Sequence, residues 1–218
     1  MELDDFKSAW QTLDKRLAQR HSLELQLFKD SRVDKARGSL RPLFWGQVAQ
    51  IAFGLGLLAL GLSYWTAHRD APVLLAMGIS LHAFGVLTAV MAGLTLGQIS
   101  RIDYAAPVVA IQKQFAKLRR TYVITGLVVG LPWWVMWMPF TTIVFGLLGA
   151  DQRGYTWGLY VPGTLIGIVG LIATWGFHRW SRAPARAEFG KALDDSLTGG
   201  SLRKAMARIE EIARFEKE

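Results

Sequence analysis

A chain of 218 residues that is 51% hydrophobic, with 22 Gly, 9 Trp and no Cys, is unlike an ordinary soluble domain in composition. The absence of cysteine excludes disulfides, thiolate catalysis and Cys-based metal sites. A formal net charge of +8 would suit a nucleic-acid binder, but no basic and aromatic recognition motif accompanies it, so nucleic acid is not an expected partner.

The charges are segregated. Residues 42–67, 71–100, 121–150 and 154–178 contain no Asp, Glu, Lys or Arg. Each run exceeds the roughly 20 residues a helix needs to cross about 30 Å of hydrocarbon. The expected fold class is all-α: a polytopic integral membrane protein with four transmembrane helices as two hairpins. Amphipathic cytoplasmic helices are expected at the N-terminus, the central connector and the C-terminus. A soluble fold would have to hide all four runs within 24.3 kDa, with too little polar sequence to cover them.

Lys and Arg number nine in residues 1–41, five in 98–122 and nine in 179–218, whereas the loops after the first and third runs hold only Arg69 and Arg153. This asymmetry places both termini and the connector in the cytoplasm and favours anionic lipid headgroups. The expected divisions are an amphipathic segment (1–41), a first membrane hairpin (42–100), a connector helix (101–120), a second hairpin (121–178) and a helical tail (179–218). The acidic, polar start has no apolar stretch of the kind a cleavable signal carries.

Leu3, Phe6, Trp10, Leu13 and Leu17 alternate at spacings of three and four, which predicts an amphipathic helix with a seam. Its face would dock on another chain, on the C-terminal helix or on headgroups. A second amphipathic piece covers 23–28, and Gly38 is expected to break the helix. In the first span Trp45, Tyr64 and Trp65 suit the interfaces. Gln47 and Gln50, near its inner end, can bond to a neighbouring helix or line a polar vestibule.

The second span carries Gly85, Ala89, Gly93 and Gly97 at an unbroken spacing of four, a stripe that lets another backbone approach closely. Shorter stripes are Gly126 with Gly130 and Gly163 with Gly167. His82 falls near mid-bilayer with no carboxylate or second histidine at its depth. A hydrogen bond between helices is therefore expected of it rather than a proton relay or a haem ligand. In the third span Pro132 and Pro139 surround Trp133, Trp134 and Trp137. They predict a bend, with the rings against the small stripe of the second span and any pocket where the bend faces His82.

In the connector, Pro107 can begin a helix whose apolar face is Val108, Ile111, Phe115 and Leu118. The two termini are expected to meet there, with Lys113 and Lys117 contributing. In the tail, Phe189, Leu193 and Leu197 precede Gly199 and Gly200, and Leu202, Met206, Ile209 and Ala213 form a second face. The halves align weakly at an offset of 78, Gly85 falling on Gly163 and Ala89 on Gly167.

The segments ELDDFKSAWQTLDKRL and IDYAAPVVAIQKQFAKLRR, about 35 of 218 residues, resemble uncharacterised small bacterial inner-membrane proteins with four predicted transmembrane helices. The resemblance implies a bacterial inner membrane and carries over no catalytic residue. No zincin, Walker, nucleophile-elbow or dinucleotide motif is present, and no enzyme, cofactor or metal is expected. The expected function is regulation or scaffolding through self-assembly, or through a membrane or cytoplasmic protein partner. The alternative is a small transporter or channel using Gln47, Gln50, His82 and the 132–139 bend.

Overall fold

The structure, a computed structural model, describes residues 2–150, 157–181 and 199–215. They form seven helices: α1 (Glu2–Ser39), α2 (Arg41–Ala67), α3 (Pro72–Ser100), α4 (Val108–Gly130), α5 (Trp133–Leu147), α6 (Trp157–Ser181) and α7 (Gly200–Phe215). Among the described residues there is no strand. Three stretches are long and apolar enough to cross a membrane, and a fourth if the bent pair α4–α5 counts as one span. The set Phe189, Leu193 and Leu197 lies outside the described residues, as do the side chains of Phe6 and Ala213.

The helix does not break at Gly38. Leu40 keeps right-handed helical dihedrals (φ −83°, ψ −12°), the Phe44 N–H donates to its carbonyl at 2.9 Å, and Asp30–Ala67 is one continuous 38-residue rod. Pro42 does no harm in the first turn of α2, where a missing N–H costs little. The two pieces expected in 3–28 are likewise one helix.

α2 and α3 pack along their lengths. On α2 the buried positions are Leu43, Gln47, Gly54, Leu57, Gly61 and Tyr64; on α3 they include Leu74, Gly78, Leu81, Gly85, Thr88, Ala92 and Thr95. Both sets advance by alternating threes and fours, the repeat of left-handed packing at about +20°. Glycines seven apart bring the backbones together. A Cβ on Gly54 would lie 2.8 Å from the Ala89 nitrogen, one on Gly61 2.7 Å from the Gly78 carbonyl, and one on Gly85 2.7 Å from the Gly54 carbonyl.

The expected stripe of four therefore holds only in part. Gly85 and Ala89 face α2, but Gly93 and Gly97 meet nothing within 4 Å. Steps of four advance a helix by about 40° each, so Gly97 has rotated about 120° away from Gly85. Gly126 and Gly130 are also open.

The bend in the third span is at Pro132 alone. α4 and α5 meet there at 51°, because proline has no N–H for the ladder and crowds the preceding turn. Pro139 is buried inside a continuous α5. The connector helix starts at Val108, with Pro107 as its cap, and continues unbroken past residue 120 to Gly130, so no boundary separates it from the span that follows.

Candidate functional site

One apolar core lies where α1, α4 and α7 meet. It contains Ala36 and Leu40, then Ile102, Val108, Ile111, Phe115 and Leu118, and Leu202, Ala205, Ile209 and Ile212 from α7. The connector loop is tied to its helix at two points. The Asp103 N–H donates to Gln114 Oε1 at 2.8 Å, and Asp103 Oδ1 accepts from the Ala105 N–H at 2.9 Å. Beside them Tyr104 is half buried; burial raises its phenol pKa above the ordinary 10.0, and the nearby Arg37 charge offsets this in part.

Phe115 is 1% exposed in this core, so it is not a free face for a second chain. Lys113 and Lys117 are exposed, on the side of α4 away from the core. An ion pair does link α1 to α7: Arg32 Nη1 lies 2.7 Å from Glu211 Oε2, with the side chains 25% and 34% exposed. Solvent weakens a pair this open, so Glu211→Gln should cost less than about 1 kcal/mol and leave the unfolding midpoint nearly unchanged in a thermal melt.

The N-terminal seam stands apart from that core. Trp10, Leu13 and Leu17 are 62%, 56% and 58% exposed. Among the described residues, the chain's own C-terminal helix meets α1 further along, at Arg32, Ala36 and Leu40.

Within the membrane portion, His82 Nδ1 donates to the Leu58 carbonyl at 3.1 Å, a bond from α3 to α2. Thr95 and Thr125 hydroxyls pair at 3.1 Å and join α3 to α4. Trp133 fills the space between helices, with ring centroids 6.2 Å from Phe53, 6.0 Å from Phe84 and 5.7 Å from Phe140. The small residues of α6 receive Trp134 and Met138. Gly163 lies on Met138, Gly167 on the Trp134 carbonyl and Gly170 on the Trp134 ring. The expected packing of the rings against Gly85 to Gly97 is thus replaced by packing of Trp134 on α6 and of Trp133 on three phenylalanines.

An apolar cavity of about 290 Å³ opens at the bend, walled by Gly130, Trp133, Trp134 and Trp137. His82 is not on its wall. The residues of the supposed polar path do not share one space among those described: His82 is in the α2–α3 interface, while Gln47 and Gln50 line a different cavity.

That second cavity, about 410 Å³, lies between the start of α2, Tyr122 of α4 and the first turn of α7. Gln47 is 4% exposed, and its Oε1 is buried with no hydrogen-bond partner. Opposite it are Gly199, Gly200, Ser201 and Leu202. Gly199 has φ +76°, a conformation that suits glycine and turns the chain into α7. The glutamines were legible in the sequence; α7 as the other wall was not, because nothing local announces that Gly199 to Leu202 return to the inner end of α2.

Among the described residues no group of three or more His, Asp or Glu is placed to hold a metal ion. Comparison with protein families, with curated proteins and with solved structures found no match.

Proposed function

We propose that this chain is a non-enzymatic protein of a bacterial inner membrane that acts as a scaffold or regulator by pairing with a second copy of itself through the seam of α1. It crosses the membrane four times, α4 and α5 together forming the third span, with both termini and the connector in the cytoplasm. Charge segregation supports this topology, as do the Trp side chains beneath Arg69 and Arg179, each guanidinium 5.8 Å from its ring centroid, at opposite ends of the bundle. The resemblance of the N-terminal and connector segments to small inner-membrane proteins belongs to the same reading.

The observation that carries it is the unbroken passage from α1 into α2. A helix continuous with a span leaves the bilayer along that span's direction instead of lying on the headgroups. At ~1.5 Å per residue it holds Leu17 about 35 Å beyond Leu40. Two copies in one membrane share orientation and height, so their seams meet in parallel and in register. Barely two heptads would be too short to associate freely in solution, but anchoring both copies in one bilayer raises their effective concentration.

The transporter reading is less well supported, since His82 is held in a helix interface and the cavity at the bend has apolar walls. In lipid nanodiscs or native membranes, lysine-reactive crosslinking should capture a dimer of the full chain. Trp10→Asp with Leu17→Asp should reduce that yield at least tenfold while insertion is unchanged. A wild-type chain that is never crosslinked to itself, or that is crosslinked only to a different protein, would overturn self-pairing.

A further inference from the structure

The face of α4 turned away from the core changes character along its length. Lys113, Lys117, Arg120, Ile124 and Leu127 recur at alternating spacings of four and three, and all five are exposed. Gly130, three residues further and also exposed, carries this stripe to the wall of the cavity at the bend. The stripe is cationic up to Arg120 and apolar from Ile124. The change falls where the uncharged run 121–150 begins.

The cations are not answered by their own chain. α4 contains no Asp or Glu, and among the described residues Lys113, Lys117 and Arg120 belong to no ion pair. Asp103, the one acid in 98–122, accepts from the Ala105 N–H. A guanidinium and an ammonium side by side suit a phosphate, which the arginine grips through two parallel N–H groups. The cavity asks for the opposite chemistry. Its walls are Gly130 with Trp133, Trp134 and Trp137, all three rings exposed, so it is reachable from outside the bundle and a polar group would lose its hydration there. Ten residues separate Arg120 from Gly130, about 15 Å at ~1.5 Å per residue. That is half of the ~30 Å of hydrocarbon, the depth reached by the chains of one leaflet.

We propose that α4 and α5 hold one anionic phospholipid of the cytoplasmic leaflet, its phosphate on Lys117 and Arg120 and an acyl chain passing Ile124 and Leu127 into the cavity at the bend. Lys113 lies farther into the water and adds to the attraction of the headgroup. Neither part would define a ligand alone, since exposed cations attract any anionic surface and any chain can fill an apolar hollow. Their separation by one chain length along a single stripe selects a molecule that carries both. The site rests on the proposed third span, with Arg120 at its cytoplasmic end, and not on pairing through α1.

The test uses the full chain, purified in mild detergent without added lipid. Phosphatidylglycerol and phosphatidylcholine with the same acyl chains are the probes, and native mass spectrometry is the readout. The wild type should hold one phosphatidylglycerol per chain, at least tenfold more tightly than phosphatidylcholine. Lys117→Gln with Arg120→Gln should bring phosphatidylglycerol down to the level of phosphatidylcholine. A Cβ on Gly130 would meet nothing within 4 Å, so Gly130→Leu occupies the cavity without displacing protein. It should weaken both lipids at least tenfold in a protein that unfolds at the wild-type temperature. Gly93→Leu, at an equally open glycine of α3 that does not line this cavity, should bind as wild type does. Equal binding of the two lipids by the wild type, or wild-type binding by the double variant or by Gly130→Leu, would overturn the site.

The span is checked separately, with single cysteines in a chain that has none. In native membranes a water-soluble maleimide should label Ala116→Cys and spare Leu127→Cys. Equal labelling of the two would overturn the third span and the site with it. A protected Leu127→Cys without any preference for phosphatidylglycerol would overturn the site alone.

Discussion

Adding one methyl group at Gly85 should loosen the α2–α3 pair, as should one at Gly61, which meets backbone as closely. The new Cβ would lie 2.7 Å from the Gly54 carbonyl oxygen and 2.8 Å from the Leu58 Cα. Both are backbone atoms, so no side chain can rotate to make room and the helices must separate. Overpacking a tight core costs about 1–3 kcal/mol, and a backbone obstacle puts Gly85→Ala at or above the upper end. The comparison is with Gly93→Ala and Gly97→Ala, whose Cβ atoms would meet nothing within 4 Å. In a thermal melt followed by tryptophan fluorescence, Gly85→Ala should fall well below wild type while the other two match it. Equal loss in all three would mean that the spacing of four governs the pairing after all.

That contrast shows what the sequence could and could not disclose. The spans were legible because a charge inside hydrocarbon is costly, which keeps a spanning helix free of charge over a length that water-facing helices rarely match. Their pairing was not, since a membrane helix is apolar all round and has no polar face to mark its outside. Only small residues hint at the interface, and in α3 they occur at two periods. The fours of Gly85, Ala89, Gly93 and Gly97 are more conspicuous, but the seven between Gly78 and Gly85 is matched by the seven between Gly54 and Gly61. Comparing the two helices would have selected it.

The connector was easier because one side of it is charged and exposed. Val108, Ile111, Phe115 and Leu118 keep helical spacing among charged neighbours, and all four are buried. The motif around it has physical content as well. Ile102 enters the core, Asp103 holds the turn, Pro107 caps the helix and Gln114 returns to the Asp103 backbone. The candidate cavity lay beyond any local reading, since its two walls come from opposite ends of the chain.

Phe115→Ala should detach α7 while leaving the membrane helices in place. The ring is 1% exposed in the core that holds Leu202, Ala205, Ile209 and Ile212, and removing it leaves a void that helices anchored in a bilayer cannot freely close. Buried Phe→Ala changes cost about 3–5 kcal/mol. A single 16-residue helix has little stability of its own in water, so a loss of that size falls almost entirely on its docking. Hydrogen exchange of the full chain in nanodiscs should show protection across residues 200–215 reduced by two orders of magnitude or more, with α2 and α3 unchanged. Val109→Ala, six residues earlier on the same helix and 63% exposed, should leave exchange as it is in wild type. If protection of 200–215 survives Phe115→Ala, α7 is held by something other than the connector, and the Arg32–Glu211 pair is too exposed to be that something. The same loss of docking would open the cavity at Gln47, because Gly199 to Leu202 form one of its walls.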